Sequence, residues 1–169
     1  MLDPFHALYH GLHGVVLVYL RRWDDALAAA RAATSIRADA PVATSVVQFV
    51  CLSKGMRDEQ LADQRVRIAR DPERVAAFEW GLEEGGYEGA QRTLADVLAA
   101  RYEKGEHLDA PGIARRYLDG SDKDRAMAWL YKGYERRDQN MPYLGAPEWD
   151  ALRSDPRFQA LLRRTGLPQ

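Results

Sequence analysis

Short helical segments divided by regular breakers are the feature that most limits how this chain can fold. Apolar residues recur at three- and four-residue spacing along the 169 residues, and the alternation typical of half-buried strands hardly occurs. Asp3-Pro4, Asp71-Pro72 and Asp155-Pro156 each place a capping carboxylate before a proline that suits the first helical position. An all-α fold is predicted, with helices at roughly 5–20, 23–36, 42–54, 58–70, 72–84, 87–103, 110–119, 122–137 and 156–165.

Eight of these helices are predicted to pair as hairpins within a single domain, residues 1–169. The hairpins cover about 5–36, 42–70, 72–103 and 110–137, and a capping segment covers 147–169. One hairpin buries too little apolar surface to be stable alone, whereas stacked hairpins share a continuous core. The expected architecture is an α-solenoid of about four hairpins with a C-terminal capping helix.

An internal repeat supports this architecture. Ala26, Ala90 and Ala126 each follow a turn at the same point of a hairpin, with larger residues one turn later. The distances between these alanines are close to multiples of about 34 residues, a period of helix–turn–helix repeats. Small residues at these positions let paired helices approach closely.

These residues resemble the tetratricopeptide repeat, which has small and bulky residues at fixed places on two helices. Gly14 and Leu17 fit its first helix in the first hairpin, and Ala114 and Tyr117 fit it in the last. The resemblance implies a non-catalytic, regulatory or scaffold module that binds a protein or peptide partner on the concave face.

A narrower resemblance begins at about Ala76 and is carried by the run from Gly120 to Pro168. This run is similar to the C-terminal repeat tail of bacterial signalling proteins, including serine/threonine kinases, nucleotide cyclases and winged-helix activators. Kinase and cyclase motifs are not found in the sequence itself. The resemblance therefore implies a regulatory tail, in a chain that is either complete or part of a longer protein.

Charge and cysteine content argue against several classes of partner. The net charge is −1 without a basic block, so neither nucleic acid nor an anionic membrane surface is expected as a partner. The apolar stretch before Arg21 is too short to span a bilayer. Cys51 is the only cysteine and lies in an apolar run, which predicts a core thiol and fits a reducing cytoplasm.

Three histidines form the one cluster with metal-ligand spacing. His6, His10 and His13 are four and three residues apart, which places them on one side of a helix where two imidazoles can share zinc. Asp3 is the only nearby carboxylate, and a metal site needs further ligands. The alternative is that these histidines are polar residues at an interface, and no cofactor is expected.

Other candidate chemistry has simpler structural explanations, so the chain is predicted not to be an enzyme. The glycine-rich residues 81–89 lack the Gly-Lys-Ser/Thr sequence that ends a phosphate-binding loop, and they fit an inter-helix turn. Glu79, Glu83 and Glu84 fit a solvated helix face. Three tryptophans are expected to pack between layers: Trp80, Trp129 and Trp149.

The partner surface is predicted on the first helix of each hairpin. Exposed positions there, by spacing, include Glu79, Arg115 and the His10–Val18 face. Val15 and Val18 belong to an apolar face that also includes Val46 and Val50. That apolar face could bind a partner or a hydrophobic ligand, self-associate in a homo-oligomer, or be covered by a preceding segment.

The capping segment gives a first testable prediction. Deleting residues 147–169 should expose the apolar end of the repeat stack, so we expect an aggregating or molten chain. Near-ultraviolet circular dichroism and thermal melting would measure this. A truncated chain that stays monomeric and melts cooperatively would contradict the capping role.

Overall fold

The computed structural model describes residues 4–38 and 40–167, and all regular secondary structure in these ranges is helical. The all-α prediction is confirmed, and the predicted helix boundaries agree with the observed ones within about two residues. Asp3, predicted as a cap, lies outside the described residues. The helices are α1 (Pro4–Tyr19), α2 (Trp23–Ile36), α3 (Pro41–Ser53), α4 (Arg57–Ile68), α5 (Pro72–Glu103), α6 (Ala110–Asp119), α7 (Lys123–Glu135) and α8 (Pro156–Thr165), with 3₁₀ helices Met141–Gly145 and Pro147–Leu152 before α8.

The chain packs into two compact units, residues 1–63 and 64–169, and the boundary between them falls within α4. In the first unit α1, α2 and α3 pack around a core of alanine and valine side chains. Gly14 lies at a helix crossing, where an added Cβ would be 3.2 Å from Val46 Cγ1 and 3.4 Å from the carbonyl oxygen of Ala26. Ala26 itself is fully buried, as its predicted small-residue position requires.

Hydrogen bonds join α3 to the start of α4 in the same unit. The Gln48 side chain donates to Asp63 at 2.8 Å, and the Gln60 side chain donates to the Gln48 carbonyl at 3.3 Å. Cys51 is buried in α3, and its burial, together with the nearby charge of Glu59, raises the pKa of the thiol. The prediction of a core cysteine is confirmed.

In the second unit, α5 reverses direction at Gly85 and Gly86 and forms a hairpin. Both glycines have non-helical backbone angles, and Gly86 has φ +59° and ψ −149°, a combination that only glycine adopts readily. On either side of the reversal, a Cβ added to Gly89 would lie 2.1 Å from the Gly81 carbonyl oxygen. The glycine-rich run is therefore an inter-helix turn, as predicted.

An arginine near the end of α5 ties the two arms of this hairpin together. Arg101 donates to both carboxylate oxygens of Asp71 at 2.6 and 2.8 Å and to Glu73 at 2.6 Å. Asp71 also caps α5, since it accepts from the backbone N–H of Arg74. The Arg101 guanidinium lowers the pKa of Asp71 from 3.8 to about 2.

The C-terminal segment packs onto α6 and α7 as a cap. Most of its large apolar side chains are buried, whereas Arg157, Arg163 and Arg164 are exposed and Arg153 is half-buried. Arg153 donates to the carbonyl oxygen of Gly145 at 2.6 Å and thereby links the two 3₁₀ helices. The buried apolar residues are Trp149, Leu152, Phe158, Leu161 and Leu162.

The prediction that three tryptophans pack between layers is wrong for one of them. Trp80 is 61% exposed, whereas Trp149 is buried and Trp129 packs edge-on against Tyr102 with ring centroids 5.1 Å apart. On the α5 arm, the neighbouring Phe78 occupies the core, and Trp80 follows two residues later on a different side of the helix.

Replacing Gly89 by alanine should destabilise the second unit by about 1–3 kcal/mol or more, because the new Cβ would overlap the Gly81 carbonyl and force the arms apart. Gly145→Ala is the matched control, since nothing lies within 4 Å of its added Cβ. Urea denaturation of both variants measures the difference. Equal free energies of unfolding would show that the close approach of the arms is not required.

The Asp71–Arg101 pair should make the thermal stability of the chain depend on pH in the acidic range. Because the folded pKa of Asp71 is about 2 and its ordinary value is 3.8, the pair stabilises fully above about pH 4 and is lost as pH falls toward 2. We expect the melting temperature of Asp71→Asn, which keeps the capping oxygen, to fall less over this range than that of the natural chain. Parallel melting curves against pH would contradict this.

Candidate interaction surface

One exposed side of α1 consists of apolar side chains. The whole helix contains no Asp, Glu, Lys or Arg. Leu8, Leu12, Val16 and Tyr19 recur at four-, four- and three-residue steps, which places them on one side of the helix. Together with Tyr9 and Leu20 they are between 42% and 64% exposed. We call these six residues the α1 strip.

The opposite side of α1 is the side that packs on α2 and α3. Val18 is buried, and Val15 is half-buried against the same core. Val46 and Val50 are buried as well. The expectation that these four valines form an exposed apolar face is therefore corrected: they form the interior of the first unit, because α1 contacts two neighbouring helices rather than one.

Leu12 and Val16 of the α1 strip lie within the predicted His10–Val18 face. The sequence analysis did not identify the other four residues of the strip, although a signal was present. A helix at a protein surface normally carries charged residues on its outward side. Because α1 contains no Asp, Glu, Lys or Arg, its exposed residues can only be apolar side chains, tyrosines or the three histidines. Exposed apolar patches of this kind mark interaction sites on proteins.

The three histidines lie beside the α1 strip. His6, His10 and His13 are all exposed on α1. Within residues 4–38 and 40–167, no group of three or more His, Cys, Asp or Glu side chains is arranged to hold a metal ion. The structure thus places the histidines on one exposed side of a helix and does not gather them into such a group.

Glu79 is in α5 and is half exposed. Its two carboxylate oxygens accept from Arg65 at 2.8 and 3.0 Å, and these hydrogen bonds lower the pKa of Glu79. The Arg65 guanidinium also lies over the Phe78 ring, 5.4 Å from its centroid. Glu79 is therefore part of a surface ion pair, while Glu83 and Glu84 are exposed, as a solvated face requires.

Arg115 is in α6, and only 17% of its side chain is exposed. Its Nε donates to Asp119 at 2.9 Å, and its Nη1 donates to the carbonyl oxygen of Glu148 at 2.7 Å. The guanidinium thus connects α6 to the second 3₁₀ helix. The exposed position expected for Arg115 is corrected, because the capping segment covers it.

No family model matches this chain, and neither a curated protein nor a solved structure matches it. Among the described residues, no helix has both the length and the apolar character needed to cross a membrane.

Proposed function

We propose that this chain is a non-catalytic, helical-repeat interaction module that binds a helix of a protein partner along the α1 strip. The observation that carries the proposal is the uncharged, exposed outward side of α1. In this proposal the hairpins are tetratricopeptide-like units of a solenoid, in keeping with the buried small residues Gly14, Ala26, Ala90, Ala114 and Ala126.

The size of the α1 strip supports a protein partner. Six side chains at roughly 100 Å² each present about 600 Å², the upper end of what monomers usually expose in one patch. From Leu8 to Tyr19 the strip runs about 17 Å along the helix, or about three turns. A partner helix with apolar residues at three- and four-residue spacing matches this length.

The chemistry of the α1 strip selects an apolar partner. Because α1 carries no Asp, Glu, Lys or Arg, a basic peptide finds no carboxylate there and an acidic peptide finds no permanently positive side chain. Binding would rest on burial of apolar surface, at about 25 cal/mol per Å² before the costs of association. The proposed setting is a bacterial signalling protein in the cytoplasm, where the single, buried Cys51 remains a thiol.

Self-association is the second candidate, and the same observation favours it. An uncharged apolar strip is complementary to a second copy of itself, and two strips of about 600 Å² would bury about 1,200 Å², the lower limit for a stable interface. A symmetric dimer through α1 would then take the place of the partner helix.

A matched pair of valine variants tests the proposal. Val16→Glu puts a charge into the α1 strip, and Val66→Glu puts the same charge on a valine of α4 that is 77% exposed. Because both sites are exposed, neither variant should lower the melting temperature by more than about 2 °C. Sedimentation at several concentrations first measures the oligomeric state of each chain. Each chain is then immobilised and used to capture partners from a bacterial lysate.

We expect a monomer, and a partner that is captured by the natural chain and by Val66→Glu but at least about tenfold less by Val16→Glu. A dimer that only Val16→Glu disrupts would identify a second copy as the occupant and overturn the partner-helix proposal. Equal capture by all three chains would show that the α1 strip is not the binding surface.

A further inference from the structure

Arg116 in α6 is a partly buried arginine whose hydrogen-bond partners are neutral. Its Nη1 donates to the side-chain oxygens of Gln91 at 3.0 Å and of Gln64 at 3.2 Å. Within the part of the chain that the structure describes, it forms no ion pair. Arginines removed from water are normally paired with an anion, because an unpaired buried charge is costly.

Gln64, which contacts Arg116, has a donor group that makes no hydrogen bond. It is only 4% exposed, and its Oε1 accepts from Arg116. Since a guanidinium can only donate, this contact fixes which end of the amide faces Arg116. The other end, Nε2, is buried and has no hydrogen-bond partner. A buried N–H group without an acceptor is costly, so the position favours a ligand that supplies one.

Arg74 in α5 has another buried N–H group without an acceptor. Its Nε is buried and has no hydrogen-bond partner. Burial, and after it repulsion from Arg74, lowers the pKa of Arg116 to about 10, with a smaller contribution from Arg67. Asp119 acts in the opposite direction, but its carboxylate already accepts from Arg115 at 2.9 Å. Two guanidinium groups therefore repel each other here, and two buried N–H groups, Gln64 Nε2 and Arg74 Nε, have no acceptor.

We propose that Arg116, Gln64 and Arg74 form a binding site for a small tetrahedral oxyanion of the phosphate or sulfate type. Such an anion offers acceptor oxygens in several directions, which suits donors that come from three helices, α4, α5 and α6. A planar carboxylate offers its oxygens in one plane only. The bound anion neutralises the guanidinium and accepts from the two unused N–H groups.

Inorganic phosphate is the probe. Thermal melting and titration calorimetry are run in phosphate, sulfate, acetate and chloride at equal pH and ionic strength. The variants Arg116→Met, Gln64→Met and Arg74→Met each remove one donor group at similar side-chain volume. Arg164→Met, an exposed arginine of α8, is the matched control for the general loss of positive charge.

We expect phosphate and sulfate to raise the melting temperature of the natural chain and of Arg164→Met above that in chloride. The phosphate affinity should fall at least about tenfold in each of the three site variants. Arg116→Met removes a buried charge but also leaves the side-chain oxygens of Gln64 and Gln91 without a donor, so each variant's phosphate effect is measured against its own melting temperature in chloride. The comparison of phosphate with chloride in the natural chain keeps the test informative even if one of the site variants does not fold.

Three results would overturn the proposal. The first is a natural chain whose melting temperature in phosphate equals that in chloride, as expected if only water satisfies these donors. The second is a phosphate effect of equal size in Arg116→Met, Arg164→Met and the natural chain, which would be a general salt effect. The third is acetate acting as strongly as phosphate, which would rule out a tetrahedral requirement.

Discussion

Close approach of neighbouring helices at small residues is the constraint on which both compact units depend. Single helices of 10 to 16 residues, such as α6 and α1, are marginal in water, so their stability comes from packing. In the first unit Gly14 lets α1 meet α2 and α3. In the second, Gly81 and Gly89 bring the arms of α5 nearly into backbone contact. A side chain at any of these positions would separate the helices and loosen the core that they share.

Charged side chains have a different role, which is to link elements far apart in sequence. Arg101 joins the two ends of the α5 hairpin, Arg115 joins α6 to the capping segment, and Arg157 at the start of α8 donates to Asp124 of α7 at 2.8 Å. Each such pair contributes little free energy where it is exposed. The bidentate contact of Arg101 with Asp71 nevertheless restricts how the two ends of the hairpin meet, because a bidentate arginine tolerates few arrangements. Arg116 differs from these three in having only neutral partners.

The sequence was sufficient to predict three features of the fold. These are the positions of the helices, the reversal at Gly85-Gly86 and a C-terminal capping segment. They depend on local signals: apolar spacing, Asp-Pro pairs and glycines. The choice between Val15, Val16 and Val18 as exposed residues could not be predicted, because α1 has no charged side to mark its outward face. The burial of Arg115 depends on a 3₁₀ segment without periodicity, and the surroundings of Arg116 depend on three helices meeting. Both are properties of tertiary packing.

The buried thiol of Cys51 means that opening of the first compact unit can be followed by itself. A thiolate must form and be reached before it reacts, and burial hinders both, since it also raises the pKa of this group. Alkylation of the one cysteine in the chain therefore reports how often the first unit opens. Reaction at this one thiol is thus a natural reporter of local opening in the first unit, with no label added to the chain.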